Sequence, residues 1–339
     1  MNQAQHGHNS ISVSDIEEAK QRISNQVAKT PLLQSLALSE LCKSPAGEQT
    51  QVYLKLECLQ TTGSFKLRGA TNAMMSLSDK EKQKGVVCVS TGNHGRGLAY
   101  AAKQNDIPAI ICMGSLVPQN KIDGIRALGA EVRIVGNSQD EAQIEVDRLV
   151  EEEGMTMLPP FDHPDIIAGQ GTIALEVMEQ IDHVHTIITP LSGGGLLAGV
   201  ACAIKAKSPS TRVIGVTMEQ GCAMHQSLNA GHPVSVEEFP TLADSLGGGI
   251  GLDNQFTFNM IQQLVDETVL VTEEEIADAI RHAYFKEQLI IEGSGSVAIA
   301  ALLANKINPS GNTVALISGK NIDMNMHQKI INGETPDIY

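Results

Sequence analysis

No apolar run in this 339-residue chain approaches the roughly 20 residues that a membrane-spanning helix needs. The first ten residues, Met1 to Ser10, are polar and lack the apolar core of a signal peptide. A positive charge balance is missing too. The net charge of −15 argues against nucleic acid or an anionic membrane as partner, and it fits a soluble cytoplasmic protein. Six cysteines occur, at 42, 58, 88, 112, 202 and 222, but none forms a Cys-x-x-Cys pair. They read as reduced core residues in a reducing compartment. His183 and His185 could touch a metal, yet no matching ligand cluster follows, so they read as an exposed loop pair. Internal repeats and low-complexity segments are absent.

What is present is a strand–turn–helix rhythm. The hydrophobic fraction of 42% is ample for buried cores, and the length is long for a single core, so two domains are expected. Strands are expected at Tyr53 to Glu57, Val86 to Val89, Ala109 to Met113, Glu131 to Val135, Thr186 to Thr189, Val213 to Thr217 and Thr313 to Ile317. Helices are expected at Gly97 to Gln104, Gln119 to Leu128, Ser138 to Glu153, Thr172 to Gln180, Leu196 to Ala206, Thr272 to Gln288 and Gly295 to Leu303. Strands alternating with helices imply parallel sheets. The fold class is therefore α/β, with two open, mostly parallel twisted sheets and flanking helices. Ligands belong at the carboxyl ends of the strands. The stretch Pro159 to Pro164 reads as a connection between domains.

Three motifs sit at such ends. The first is Ser64-Phe65-Lys66-Leu67-Arg68-Gly69-Ala70. A lysine boxed by an aromatic, an aliphatic and small residues is desolvated, which lowers its pKa and makes the amine a usable nucleophile for a Schiff base. Arg68 is expected to push the same way. The plain alternative is a lysine whose stem covers apolar surface. The second motif is Ser192-Gly193-Gly194-Gly195-Leu196, between a short strand and a helix. Its glycines let backbone approach an anion, and free N–H groups at the helix start point at it. The Lys-Ser ending of a nucleoside-triphosphate loop is missing. The third is Ser90-Thr91-Gly92-Asn93-His94-Gly95-Arg96-Gly97. Asn93 can donate to a phenolate-type oxygen, and the Ser90 and Thr91 hydroxyls can bind a carboxylate.

Together with Phe161-Asp162-His163-Pro164 and Ala168-Gly169-Gln170-Gly171-Thr172, these motifs resemble the threonine dehydratase and serine racemase family of fold-type II pyridoxal-phosphate enzymes, related in fold to the tryptophan synthase β subunit. The resemblance runs from about Asp15 to about His327. It implies a large cofactor-binding domain, 1–79 and 161–339, and a small domain, 80–160. It implies pyridoxal 5'-phosphate as cofactor, an amino acid as substrate, and a homodimer or homotetramer. Lys66 would hold the cofactor as a Schiff base and shuttle the Cα proton. Phe65 would pack on the ring, Asn93 would bind its oxygen, and Gly193, Gly194, Gly195 and Leu196 would hold the phosphate. Ser318 would face the pyridine nitrogen. Ser90, Thr91, His94 and Arg96 would bind substrate. The implied reaction is loss of water and then ammonia from a β-hydroxy amino acid, with racemisation as the alternative.

Several positions depart from the family pattern. Thr91 keeps a hydroxyl where dehydratases have alanine and serine racemase has a serine that serves the second face. Arg96 replaces a glutamine, and its fork of donors suits a substrate carboxylate. The family's Ala-Asp-Gly-Val loop is Ala243-Asp244-Ser245-Leu246 here, followed by Gly247-Gly248-Gly249, which is expected to make room beside the substrate. Glu219 and Ala223 match a divalent-cation site found in some relatives, but His225 replaces its aspartate, so no metal ligand is assigned. The Ala243–Gly249 loop and the C-terminal Ser318-Gly319-Lys320-Asn321-Ile322-Asp323-Met324 resemble the hydroxyectoine-utilisation dehydratase branch. A hydroxyaspartate-like acid or an acylated diamino acid is the substrate these features imply; the plain alternative is that Arg96 points from its helix start to solvent and that the glycines merely turn the chain. A rival reading is a nicotinamide dehydrogenase, since Gly193-x-Gly195-x-x-x-Gly199 followed by Glu219 imitates a dinucleotide fingerprint. It leaves Lys66 and the Asn93 loop unexplained.

Overall fold

The computed structural model describes residues 11–42, 50–90, 92–115, 117 and 119–334. Ten strands are found among them: β1 Leu32–Ser35, β2 Gln51–Leu56, β3 Val86–Val89, β4 Ala109–Met113, β5 Glu131–Ile134, β6 Thr156–Met157, β7 Val184–Pro190, β8 Arg212–Met218, β9 Glu267–Val271 and β10 Asn312–Ile317. They form two sheets. The first runs β1-β2-β10-β7-β8-β9 and is parallel except for β1, which pairs antiparallel with β2. The second runs β5-β4-β3-β6 and is wholly parallel.

The chemistry of the strands explains this arrangement. In β7, β8 and β10 nearly every residue is buried, the pattern of strands covered by helices on both faces. Two apolar clusters fill the two sides of the first sheet. The helices Gly195–Lys207 and Gly293–Leu303 lie in them with most residues buried. In β1 the middle residues are exposed, which suits a short edge strand.

The structure extends the sequence expectations at several boundaries. The helix expected from Gly97 begins at Asn93, so Asn93 and His94 stand in its first turn and not in a loop. The glycine at 97 is explained by packing: a Cβ there would come within 3.2 Å of the Lys66 and Leu67 backbone. The helix expected from Thr172 begins at Pro164, with His163 as cap. The expected helix over 138–153 is α-helical only from Gln139 to Arg148, then widens to a π turn that closes at Gly154. Strands β1, β6 and β9 are additions to the expected set. All six cysteines are free, and five are buried. No helix among the described residues is long and apolar enough to cross a membrane.

A buried ionic cluster fixes the start of the helix Lys66–Ser76. Arg68 donates to Glu57 from Nε and Nη2, both at 2.8 Å, and to Glu176 from Nη1 at 2.7 Å. Lys55 Nζ reaches the second Glu176 oxygen at 2.6 Å and the Thr30 carbonyl at 2.8 Å. Lys55, Glu57 and Arg68 are fully buried. The cluster joins β2, the turn after it and the helix Pro164–Gln180, and every charge in it meets an opposite one.

Candidate active site

Three segments leave the carboxyl ends of neighbouring strands and converge. β10 lies between β2 and β7. Ser318 follows β10, the glycine run follows β7, and the chain after β2 leads to Lys66. Two cross-links hold the Lys66 turn against β10. Phe65 N donates to Ser318 O at 3.0 Å, and Ser64 bridges to Gly319. The cleft between these segments spans about 490 Å³ of space, its opening to solvent included.

Lys66 is the first residue of its helix and lines the cleft. Its Nζ donates to the Pro160 carbonyl at 2.7 Å and lies 5.3 Å from the centre of the Phe65 ring. Burial lowers its pKa to about 8. Arg68 makes no contribution, contrary to the sequence expectation, because its guanidinium faces Glu57 and Glu176.

Gly193, Gly194, Gly195 and Leu196 line the opposite wall. Gly194 has φ +93°, and a Cβ on Gly193 would sit 2.3 Å from the Phe161 ring. The helix Gly195–Lys207 starts here, and its first-turn N–H groups have no partner within the helix. Ser318 is buried and lines the floor, its Oγ 3.3 Å from the Ser294 carbonyl. This donor set suits pyridoxal phosphate: an anion cradle of backbone amides, a desolvated amine, and a neutral hydroxyl for a ring nitrogen.

The third motif divides between the cleft and its surroundings. Asn93 lines the cleft, and its Nδ2 donates to Glu292 at 2.7 Å. Ser90 accepts from the Gly95 amide at 2.9 Å, so its hydroxyl caps the helix start. His94 is buried and absent from the cleft wall. Its Nε2 donates to the Leu158 carbonyl at 2.9 Å, and burial together with the Lys66 charge holds the ring neutral, its pKa about 3. Thr91 lies outside the described residues. Arg96 lines an adjoining pocket that shares Asn93, Ser245 and Glu292 with the cleft. Its Nε is buried with no hydrogen-bond partner, and among the described residues its guanidinium has no carboxylate. Gly124 seats it, since a Cβ there would meet Nη1 at 2.5 Å.

The run Gly247-Gly248-Gly249 makes no room in the cleft. A Cβ on Gly249 would meet nothing within 4 Å, and Gly248 has φ +100°, so the glycines turn an open loop. Ser245, just before them, does line the cleft and keeps a hydroxyl there. His225 is turned to Thr268 Oγ1 at 2.8 Å, and Glu219 is exposed. Among the described residues no group of three or more His, Cys, Asp or Glu side chains could hold a metal.

Several cleft residues carry no assigned role in the sequence reading. The expected connection at Pro159 to Pro164 supplies the Pro160 carbonyl and the Phe161 ring, while Asp162 accepts from the amides of Gln255, Phe256 and Thr257. Glu292 and Ser294, at the start of the helix Gly293–Leu303, also line the wall.

Comparison with known proteins agrees with this donor set. A protein of Sinorhizobium fredii provisionally named a threonine dehydratase is 56% identical over 324 residues, 95% of this chain and 96% of the relative. The L-threonine ammonia-lyase of Thermotoga maritima is 45% identical over 323 residues, 95% of this chain and 78% of the relative. Among solved structures, maize serine racemase superposes with a TM-score of 0.88 at 32% identity, covering 95% of this chain and 97% of the other. The profile of the family described as pyridoxal-phosphate dependent enzyme matches residues 23–319. The nicotinamide-dehydrogenase reading is thereby set aside, and the chain belongs to the pyridoxal-phosphate dependent enzyme family.

Proposed function

We propose that the protein is an ammonia-lyase that removes water and then ammonia from a β-hydroxy amino acid, leaving a 2-keto acid. The observation that carries this reading is the Lys66 amine: desolvated to a pKa of about 8, held 2.7 Å from a backbone carbonyl, and set opposite the glycine cradle. Pyridoxal phosphate, when bound, supplies a conjugated ring that takes up the electron pair of the substrate Cα–H bond. Lys66 would attach it and, once displaced by substrate, would take the Cα proton on Nζ. The Gly193–Leu196 amides would hold the phosphate, Phe65 would pack on the ring, and Asn93 would donate to the ring oxygen. Ser318 would donate to or accept from the ring nitrogen. Being neutral, it does not keep that nitrogen protonated as a carboxylate would, which limits side reactions. Loss of the β-hydroxyl as water leaves an enamine, and its hydrolysis gives keto acid and ammonia.

A screen of β-hydroxy amino acids for keto-acid release tests the reaction. No release from any of them contradicts it. The likeness to maize serine racemase keeps racemisation as a second reading, with Thr91 as the acid–base group of the second face. Recovering unreacted substrate from the same screen and measuring its handedness decides that point: unchanged handedness contradicts racemisation. In this scheme 1–79 and 161–339 form the large domain and 80–160 the small one. A homodimer or homotetramer is supported by exposed apolar side chains such as Leu33, Leu36, Phe285 and Met324, and sedimentation equilibrium checks it.

Within this reaction, Arg96 favours a substrate with a distal negative group. A half-buried guanidinium with no carboxylate partner among the described residues, in a pocket that shares wall residues with the cleft, is a ready partner for one. Hydroxyaspartate, whose second carboxylate is such a group, fits better than threonine; an acylated diamino acid of hydroxyectoine breakdown, neutral at that end, gains nothing from Arg96. Arg96→Gln should lower kcat/KM for the acidic substrate by about 2 kcal/mol, while threonine changes little. Equal loss for both substrates, or threonine preferred by the unaltered enzyme, contradicts this assignment.

A further inference from the structure

Asn93 belongs to a chain of side-chain amides whose orientations are forced. A carbonyl only accepts, so the Asn321 atom 2.9 Å from Thr62 O is Nδ2. The same Nδ2 lies 2.6 Å from Asn93, which therefore presents Oδ1 to it. Asn93 Nδ2 is left facing Glu292 Oε1 at 2.7 Å. One hydrogen of that amide goes to Glu292. The second faces the Ser245 hydroxyl on the wall of the cleft, in a long contact of 3.5 Å to its Oγ.

Glu292 is built for this contact. It stands at the cap position of the helix Gly293–Leu303, yet its side chain makes no hydrogen bond to that helix. It is 4% exposed, and among the described residues it has no salt-bridge partner. Two glycines clear its surroundings. A Cβ on Gly319 would lie 2.1 Å from Glu292 Oε1, and one on Gly63 would lie 2.5 Å from Asn321 Oδ1. Asp244, Lys121 and Arg96 face it across the adjoining pocket, Lys66 shares the cleft with it, and Cys58 and Lys320 lie behind it. Burial and the Asp244 charge push the carboxyl up to about 7, against the pull of the Asn93 side chain and the Asn321 backbone N–H.

We propose that Glu292 is a positioning residue that locks the Asn93 amide with its second N–H directed into the cleft, toward the ring oxygen of the cofactor. The flipped amide would set Asn93 Oδ1 against a carboxylate oxygen and Nδ2 against the Asn321 donor, breaking both contacts. Removing Glu292 removes one of the two restraints. The inference rests on the reading that Asn93 faces the cofactor, and the test separates the two.

The test is a double-mutant cycle on pyridoxal-phosphate affinity, measured by equilibrium dialysis of the cofactor-free protein. Asn93→Ala should weaken binding roughly tenfold, the scale of one hydrogen bond, and Glu292→Leu should weaken it by a smaller factor, about threefold, because the Asn321 contact remains. The double variant should bind no more weakly than Asn93→Ala alone, because Glu292 acts only through that amide. Glu292→Gln keeps an acceptor oxygen and should bind as the unaltered protein does. If Glu292→Leu costs the same factor with and without Asn93, the positioning role is overturned and Asn93 keeps its own. If Asn93→Ala leaves affinity unchanged, the cofactor-facing reading of Asn93 fails, and the role of Glu292 with it.

Discussion

Lys66→Ala should lower kcat by at least about 10⁴-fold, because one side chain supplies both the covalent anchor and the proton-transfer base. The variant should still bind pyridoxal phosphate through the glycine cradle, Asn93 and Ser318, but without a borohydride-reducible link. The low pKa adds a pH signature. With the amine near 8, about half of it is neutral at pH 8, roughly a hundredfold more than for an ordinary lysine. Covalent loading of cofactor-free protein should therefore speed up as pH rises to about 8 and level off above it. Stopped-flow absorbance at several pH values measures this. A loading rate still climbing tenfold per unit above pH 9 would mean an unperturbed amine.

Arg68→Met should destabilise the fold by about 3–5 kcal/mol, since it strands the Glu57 and Glu176 carboxylates in a buried cluster with Lys55 as the sole remaining cation. Burial pushes the Glu176 carboxyl up, and Arg68 and Lys55 together hold it below its ordinary value. Without Arg68 that restraint weakens and Glu176 tends to take up a proton in the folded state. A carboxyl whose folded pKa lies above its unfolded one loses stability as pH rises, so the deficit should be larger at pH 8 than at pH 5. Urea unfolding at the two pH values measures it. A loss under about 1 kcal/mol, equal at both, contradicts the buried-cluster account.

The same arginine shows where sequence reasoning fails. Lys66 and Arg68 stand two residues apart in the motif, which invited a shared electrostatic role. On a helix, residues two apart point to nearly opposite sides, so Lys66 faces the cleft while Arg68 faces the cluster between β2 and the helix Pro164–Gln180. The glycine cradle was legible because φ above zero and close backbone approach leave a compositional mark at Gly193 to Gly195. The strand–helix rhythm was legible because β7, β8 and β10 are buried nearly throughout and carry short Val, Ile and Leu runs. The edge strand β1 and the two-residue β6 carry no such pattern. Pro160 and Phe161 looked like linker because prolines punctuate chains, yet their carbonyl and ring form the cleft wall. Glu292 gave no local signal at all, since its partner Asn93 lies 199 residues away.

The most direct test of the central claim is to reduce the purified, cofactor-loaded protein with borohydride, digest it and locate the modified lysine by mass spectrometry. A phosphopyridoxyl group on the peptide containing Lys66, and on no other lysine, is the predicted result. A stable adduct on a different lysine, or none from protein that turns substrate over, would contradict the assignment of Lys66.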